Sequence, residues 1–284
     1  MRRQCNGRVR CCGQPRYDFL RQRQSHTDFG GDDQALAGAL QPDNRILAAG
    51  PVTVGSGKGF GLTRYNPNGS LDFNFGGDGK VTTDFGASED QATAVALQAD
   101  DKIVVGGYAD AGSNGDFAVA RYLPDGSLDA TLMPRSRAME ITTDFGSVDD
   151  DVYAGALQAD GKIVALGFTG VTDAHDFALA RYMPNGDLDT SFSFDRKQTT
   201  NFGNDDEAFA VALQPDGKNL VGGVAKVGAT FDFALARYMT NGDPDNSFNG
   251  DGRLSTDFNG GLDGVTGLGL QANGKLLIIK YRRS

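Results

Sequence analysis

The sequence predicts an all-β fold, a β-propeller of about five four-stranded antiparallel blades whose last blade is incomplete. The dipeptide Leu-Gln recurs five times, with 56 to 60 residues between successive copies. A fixed period of this size indicates one supersecondary unit copied in tandem. Each copy also contains four short β-rich runs separated by turn residues. The glutamines of the five dipeptides are Gln41, Gln98, Gln158, Gln214 and Gln271.

Residues 80–129 show one copy most clearly. Its β-branched or aromatic runs cover 80–85, 92–97, 102–108 and 116–122, and a Pro-Asp-Gly turn follows. The connections are too short for crossover helices, so we expect the strands to pair as an antiparallel meander. The alanine-rich run 92–97 could suggest a helix. Six residues are too few for one, and Thr, Val and Leu recur there at every second position, so we predict a strand.

A four-stranded meander repeated about every 57 residues fits a propeller blade better than a β-sandwich or a β-solenoid, whose coils usually repeat at shorter periods. We predict one repeat domain over 26–284. Its copies are expected at 26–79, 80–139, 140–196, 197–252 and 253–284. Only four copies contain the Arg-Tyr pair that ends the fourth run, which is why the last blade is predicted to lack its outer strand. These arginines are Arg64, Arg121, Arg181 and Arg237.

Residues 1–25 differ in composition from the repeats. They contain seven arginines, one aspartate and all three cysteines of the chain, for a net charge of +6. We predict an irregular basic head, either a disordered tail or a non-native segment of the kind that out-of-frame translation of a repeat would give. It has no apolar core of the kind a signal peptide needs.

The remaining chain carries a net charge of −16, because the whole chain sums to −10. An acidic surface repels phosphates and anionic lipids, so we expect no nucleic-acid partner. No apolar run approaches the roughly 20 residues of a membrane helix, and we expect no membrane insertion. Protein or carbohydrate ligands are compatible with this charge.

Two strings resemble a known family: Asp-Phe-Ala-Leu-Ala-Arg-Tyr-Met-Pro-Asn-Gly at 176–186 and Ala-Leu-Gln-Pro-Asp-Gly-Lys at 212–218. They are similar to the bacterial delta-60 repeat, and the resemblance extends over roughly 26–280. It implies a β-propeller-type domain of unknown function. It also implies a secreted or cell-surface protein, often a piece of a longer repeat array. It supplies no catalytic residues.

An aspartate stands eight residues before each repeat glutamine. In a closed ring these positions would form an acidic annulus on one face, able to attract Ca²⁺ or a basic partner. The alternative is that each aspartate makes the turn between two strands. The five residues are Asp33, Asp90, Asp150, Asp206 and Asp263.

A second candidate metal site is the loop after the fourth run. Residues 245–251 place oxygen-bearing side chains at alternate positions around a glycine, as Ca²⁺ loops do, and residues 72–78 match in part. The alternative is hairpin chemistry at Asn-Gly and Asp-Gly. The candidate ligands are Asp245, Asn249, Asp251, Asp72, Asn74 and Asp78.

The recurring arginines are expected to pair with nearby acids such as Asp116, Asp176 or Asp232, and the recurring phenylalanines to lie in the core. The latter are Phe60, Phe117, Phe177 and Phe233.

Catalytic signals are sparse. The two histidines, His26 and His175, are not repeat equivalents, and no nucleophile or phosphate-loop motif is present. We therefore predict a non-enzymatic binding or scaffolding module. The alternative is a propeller hydrolase or lyase acting on polysaccharide through carboxylates at the channel mouth. A deep, asymmetric pocket containing His175 beside two carboxylates would favour the enzyme. A third possibility is a decayed product without function.

Overall fold

The computed structural model describes residues 25–86, 89–110, 115–132, 140–146, 149–258, 261–271 and 275–283. The predicted basic head lies almost wholly outside them. A search of the described residues finds no helix long and apolar enough to cross a membrane.

In the described part of the chain, eighteen strands form four consecutive four-stranded meanders and a final two-stranded pair, which we call units 1 to 5. Unit 1 contains β1 (Ala37–Leu40), β2 (Ile46–Val54), β3 (Gly57–Tyr65) and β4 (Lys80–Thr83). Unit 2 contains β5 (Asp90–Leu97), β6 (Ile103–Asp110), β7 (Gly115–Tyr122) and β8 (Glu140–Thr143), with a 3₁₀ turn at Ala130–Leu132. Unit 3 contains β9 (Asp149–Leu157), β10 (Ile163–Val171), β11 (Ala174–Tyr182) and β12 (Lys197–Thr200). Unit 4 contains β13 (Asp206–Leu213), β14 (Asn219–Val227), β15 (Thr230–Tyr238) and β16 (Arg253–Thr256), and unit 5 contains β17 (Leu262–Leu270) and β18 (Leu276–Arg283).

The prediction of antiparallel four-stranded repeats is confirmed, including the strand rather than helix at 92–97. The sheets begin one strand later than the sequence repeats, because the run at 80–83 closes the sheet of unit 1 instead of opening that of unit 2. The equivalent run at 27–29 forms no strand. No closed sheet joins the described strands, so the number of blades in a ring stays a prediction.

A β-bulge interrupts the first strand of units 2 to 5 at the same position. Tyr153 is the bulged residue of β9: Val152 pairs with Gly167, and Ala154 pairs with Leu166. The bulge brings the two backbones so close that a Cβ on Gly167 would lie 1.7 Å from the carbonyl oxygen of Asp151. Glycine is therefore required there, and the bulge turns the side chain of Tyr153 toward the neighbouring unit.

The core lies between consecutive units. Each interface joins large side chains from one unit, such as Phe60 and Leu62, with small ones from the next, such as Ala118 and Ala120. The same arrangement recurs between units 2 and 3, 3 and 4, and 4 and 5. The recurring phenylalanines are buried, as predicted.

The recurring arginines pair with aspartates eight residues later, and not with the acids that we predicted. Arg121 Nε donates to Asp129 Oδ2 at 2.8 Å, and its Nη1 donates to the carbonyl of Pro184 in the next unit. The predicted partner Asp116 precedes Arg121 by five residues on the same strand. The two side chains therefore lie near opposite ends of that strand and do not meet. The equivalent pairs are Arg64–Asp72, Arg181–Asp189 and Arg237–Asp245.

Candidate functional site

The first strands begin at the same end of the units where the second and third strands turn back. We call this end the upper face, and the end that carries the Leu-Gln turns the lower face. Because the strands are antiparallel, the loop before β13 and the hairpin 171–174 both lie on the upper face.

The predicted acidic annulus lies at the upper end of the first strands, but its carboxylates point into the protein. Asp150 is fully buried and its Oδ2 accepts the backbone N–H of Phe145 at 2.6 Å. This bond ties down the loop before each first strand, as the turn alternative requires. Equivalent bonds join Phe29 to Asp33, Phe85 to Asp90, Phe202 to Asp206 and Phe258 to Asp263. Cation binding by these residues stays a prediction.

The predicted metal loops also use their oxygens locally. Asp245 accepts hydrogen bonds from Arg237 and Ser247, and Lys218 Nζ lies 2.9 Å from its Oδ2. Asp251 accepts from the backbone and side chain of Arg253, to whose carbonyl Asn249 donates. Asp72 pairs with Arg64, Asn74 donates its backbone N–H to Asp72, and Asp78 accepts from the backbone N–H of Lys80. A metal at these loops also stays a prediction.

One position on the upper face varies between units while its surroundings repeat. It lies two residues before the recurring phenylalanine of the third strand, and it faces the residue before the recurring aspartate of the next unit. Its occupants are Lys58, Gly115, His175 and Phe231, and the residues opposite are Glu89, Asp149, Asp205 and Leu262. The scaffold is thus constant and the chemistry of each interface is different.

Of the four residues at this position, His175 contacts two carboxylates and an aromatic ring. Its Nδ1 lies 2.7 Å from Asp205 Oδ1 and 3.9 Å from Glu207 Oε1. The Nδ1 atom is buried. Its short contact with Asp205 lies outside hydrogen-bond geometry, so the contact is electrostatic and not a hydrogen bond. The imidazole packs against Phe168, with ring centroids 4.2 Å apart. One histidine therefore lies beside two carboxylates contributed by the next unit.

Asp151 and Glu207 occupy equivalent positions in successive units, but their surroundings differ. Burial, followed by the charges of Asp149 and Glu207, raises the pKa of Asp151 to about 7, and His175 opposes this shift. Burial also raises the pKa of Glu207, and His175 lies closer to it. Asp151 instead faces Gly115, whose missing side chain leaves room for the carboxyl.

Aromatic rings border these carboxyls. The ring of Tyr153 lies 5.1 Å from that of Phe209 and 5.5 Å from that of Phe168. Burial and then the charges of Glu207 and Asp151 raise the pKa of Tyr153, and burial and then the charge of Asp151 raise that of Tyr108 to about 12. Both phenols therefore stay protonated at neutral pH and can donate hydrogen bonds.

The arrangement offers a carboxyl with a pKa of about 7, a second carboxyl beside a histidine, and aromatic surface. Groups that exchange protons near neutral pH are what general acid–base chemistry requires. His175, Asp205 and Glu207 also bring one ligand atom each within 4.8 Å, as do Asp116, Asp144 and Asp150, so either group could hold a divalent cation.

In the sequence, Asp151 and Glu207 are visible as acids next to the recurring aspartates and His175 as a departure from the repeat, but nothing singled out Tyr153 or brought the four together. Their signal was present as departures from the repeat: the positions of Tyr153 and Phe209 hold threonine in units 2 and 5. Two surface cavities lie elsewhere, one against unit 1 next to His26 and one on the lower face between units 3 and 4.

Four segments of the chain match the sequence model of a domain of unknown function (DUF5122) described as a beta-propeller, at residues 41–75, 98–132, 158–192 and 214–248. Over these four segments the chain is similar to DUF5122 β-propeller repeats. This agrees with the predicted β-propeller repeat family of unknown function, while the name delta-60 stays a prediction. No curated protein sequence matches the chain at a significant level.

Three solved structures illustrate what the DUF5122 repeats resemble. A periplasmic gluconolactonase of Pseudomonas aeruginosa overlays with a TM-score of 0.50 at 15% identity, over 87% of this chain and 65% of that one. An endo-arabinase from Bacteroides thetaiotaomicron gives 0.46 at 12% identity, over 90% and 92%. The polysaccharide lyase Uly1 gives 0.43 at 13% identity, over 86% and 65%. The chain therefore spans about two thirds of the gluconolactonase, and the likeness establishes the fold.

The prediction of a non-enzymatic binding or scaffolding module is contradicted. The solved structure that overlays this chain at a TM-score of 0.50 is that of an enzyme, the gluconolactonase. His175 does lie beside two carboxylates in a unit that departs from the repeat, but neither of the two surface cavities contains it, so only part of the arrangement expected of an enzyme is present.

Proposed function

We propose that this protein is a β-propeller glycoside hydrolase that cleaves a neutral polysaccharide on the upper face of units 2 to 4. Asp151 would act as the general acid and Glu207 as the ionised carboxylate that completes the acid–base pair. Tyr108, Tyr153 and Phe209 would form the surface on which sugar rings stack. About five blades would carry this site.

The observation that supports this proposal is a carboxyl with a pKa near neutral next to a second carboxyl that lies beside a histidine. Asp151 has a pKa of about 7, raised first by burial, so a large fraction of it carries a proton at neutral pH. Burial also raises the pKa of Glu207, and the charge of His175, whose Nδ1 lies 3.9 Å from Glu207 Oε1, opposes that rise. Hydrolysis of a glycosidic bond needs one protonated and one ionised carboxyl.

In this mechanism Asp151 gives its proton to the glycosidic oxygen as the bond to the anomeric carbon breaks. Glu207 stabilises the positive charge that develops on the sugar, or takes a proton from the attacking water. His175 and Asp205 hold Glu207 in place and tune its charge. The phenol of Tyr153, whose pKa the charges of both acids help to raise, would orient a substrate hydroxyl.

Charge favours a neutral substrate over a uronate. Asp149, Asp151, Asp205 and Glu207 surround the site, and His175 is the basic residue that the described residues place among them. A uronate polymer would meet repulsion with little to neutralise its carboxylate. A lyase, which depends on neutralising that carboxylate, is therefore the weaker candidate.

We also propose that the protein works outside the cytoplasm, where structural polysaccharides lie. Support comes from the periplasmic location of the gluconolactonase that the fold resembles. Fractionation of the native host would test this separately from the activity.

The direct test incubates the full chain with a panel of neutral polysaccharides, including arabinan, and measures release of reducing ends. Asp151→Asn should lower the rate by at least about a hundredfold, the usual contribution of a general acid. Asp100→Asn, in an exposed turn on the lower face, is the matched control and should retain full activity. Activity that survives in Asp151→Asn, or cleavage confined to uronate polymers with an unsaturated product, would refute the proposal.

A further inference from the structure

Three side chains with metal-binding atoms converge on the upper face where unit 3 meets unit 4. His175 is the second residue of β11, Asp205 directly precedes β13, and Glu207 is the second residue of β13. One ligand atom from each lies within 4.8 Å of those of the other two. One nitrogen from unit 3 and two carboxylate oxygens from unit 4 are therefore close enough to share one ion.

The start of β13 holds the two carboxylates in place. Side chains alternate along a strand, so Asp205 and Glu207 project to one side while Asp206 projects to the other. Asp206 is fully buried and accepts the backbone N–H groups of Phe202 at 2.5 Å and of Lys226 at 3.2 Å. Both carboxylates therefore leave a fixed strand end in the same direction, toward His175.

The contact between His175 and Asp205 is one that a hydrogen bond does not explain. Nδ1 of His175 is buried, has no hydrogen-bond partner among the described residues, and lies 2.7 Å from Asp205 Oδ1. Glu207 Oε1 lies 3.9 Å from the same nitrogen. Ligand atoms that share a zinc ion at about 2.0–2.2 Å lie about 3 to 3.5 Å apart, and the two distances fall on either side of that range. Small rotations of the two carboxylates would bring both within it.

Negative charge accumulates around these side chains. The charges of Asp149 and Glu207 act on Asp151, and that of Asp205 acts on Glu207. His175 is the basic residue that the described part of the chain places among them. A divalent cation at His175 would offset this concentration of acids.

The other interfaces between described units do not bring the same set together. The residues at the three positions are Lys58, Glu89 and Gln91 between units 1 and 2, Gly115, Asp149 and Asp151 between units 2 and 3, and Phe231, Leu262 and Gly264 between units 4 and 5. Lysine brings a positive charge of its own, and the side chains of glycine, phenylalanine and leucine offer no ligand atom. The set between units 3 and 4 is therefore not a property of the repeat.

We propose that His175, Asp205 and Glu207 form a binding site for a divalent transition-metal ion, with zinc as the representative ion, through Nδ1 of the imidazole and one oxygen of each carboxylate. Zinc accepts nitrogen and carboxylate ligands together, and three protein ligands leave a fourth position for water. Calcium and magnesium prefer oxygen ligands alone and in larger number. The site differs in residues and in metal from the calcium sites predicted from the sequence.

Zinc binding is independent of the proposed hydrolysis but affects it. A bound ion takes the oxygen of Glu207 that the proposed reaction needs as a free carboxylate, so that reaction belongs to the metal-free protein and zinc should inhibit it. The inhibition rests on the proposed function, whereas binding is measured without substrate. The two proposals can therefore fail separately.

Isothermal titration calorimetry of the full chain with zinc chloride near neutral pH tests the site. The protein is first treated with chelator, and its three cysteines are alkylated so that thiolates do not bind the ion. One saturable site is expected, with a dissociation constant of about 10 μM or tighter. His175→Ala and Glu207→Gln should each weaken binding at least about tenfold, because each removes one ligand. Calcium should bind at least about tenfold more weakly than zinc.

His26→Ala replaces the other histidine of the chain, which is exposed, and is the matched control. It should bind zinc as the unchanged protein does, and circular dichroism verifies that the variants are folded. NMR of the unchanged protein needs no variant at the site: zinc should shift the imidazole signals of His175 and leave those of His26 in place. Absence of saturable zinc binding, unchanged binding by His175→Ala, an equal loss in His26→Ala, or tighter binding of calcium than of zinc would each overturn the proposal.

Discussion

Asp151 illustrates how a single side chain takes its chemistry from its neighbours. The aspartate at the equivalent position of unit 4 is replaced by Glu207, which has His175 nearby, whereas Asp151 has Gly115 in that place. Burial and the charges of Asp149 and Glu207 favour the protonated carboxyl of Asp151 and outweigh the opposing charge of His175. The chemistry of Asp151 therefore depends on which residues surround it in the interface.

The raised pKa of Asp151 has a consequence for stability. The folded protein binds this proton more tightly than the unfolded chain, so the contribution of Asp151 to stability is complete below the unfolded pKa. It is lost as the pH rises through about 7. Asp151→Asn removes the buried charge and should increase the free energy of unfolding by about 2 kcal/mol at pH 8.

Urea unfolding at pH 4.5 and at pH 8 provides the measurement, with the gain expected at the higher pH alone. Asp100→Asn is the control. A gain of equal size at both values would mean that the amide acts by some route other than removing the charge.

His175 should determine where activity begins and ends on the pH scale. Its charge lowers the pKa of Glu207 and that of Asp151, in each case against the effect of burial. With a general acid of pKa about 7, hydrolysis should fall above neutral pH. In His175→Ala both limbs of the pH–rate profile should move to higher pH, and the maximal rate should fall about tenfold or more. A profile that only loses height would assign His175 a purely structural role.

At the scale of strands and turns, a recurring Arg–Asp pair, which we call the arginine clamp, links one unit to the next. Arg121 holds Asp129 in its own unit and a backbone carbonyl of the next. Burial raises the pKa of Asp129, but hydrogen bonds from Thr131, followed by Lys102 and the charge of Arg121, hold it at about 2. Removing one partner of such a buried ion pair destabilises the fold, because the other charge stays buried without a counter-charge.

Asp129→Asn should therefore lower the free energy of unfolding by about 3 kcal/mol at pH 7, since it leaves the guanidinium of Arg121 buried without its carboxylate. The difference from the unchanged protein should narrow as the pH falls toward 2, where Asp129 itself becomes neutral. Denaturant titration measures both effects. Asp125→Asn, in the exposed part of the same turn, is the control. If it lowered the free energy of unfolding equally, the loss in Asp129→Asn would not come from the Arg121–Asp129 pair.

Strand positions could be read from the sequence because alternation and turn residues are local signals. The clamp partner could not, since Asp116 and Asp129 are both near Arg121 in sequence. Only the turn after β7 brings Asp129 back to it, through the backbone bond from Asp129 to the Arg121 carbonyl. Similarly, the bulge at Tyr153 depends on the pairing of two strands, which no single strand encodes.

For the whole molecule, the units differ in how many of their faces are covered. Unit 3 packs between two neighbours, whereas among the described residues unit 1 packs on unit 2 alone and β18 exposes Leu277 and Ile279. In repeat arrays stability comes from the unit and from its interfaces with its neighbours. The ends should therefore open more readily than the middle.

Hydrogen exchange should show this gradient. Amides of β18 are expected to exchange at least about a hundredfold faster than those of β10, because local opening requires less than global unfolding where an interface is lacking. Mass spectrometry of peptic fragments measures both in one experiment. Uniform protection along the chain would show that the ends are covered.

The sequence by itself determined the repeat, its all-β character, the position of most strands and the burial of the recurring phenylalanines. These depend on local alternation and on a pattern present in every copy. Only the tertiary structure decided which departures from the pattern meet. Asp151, Glu207, Tyr153 and His175 come from two units and are separated by as many as 56 residues, and each taken alone resembles variation in a loop. The packing of one unit on the next brings them together, and burial in that interface gives them the altered protonation on which the proposed activity depends.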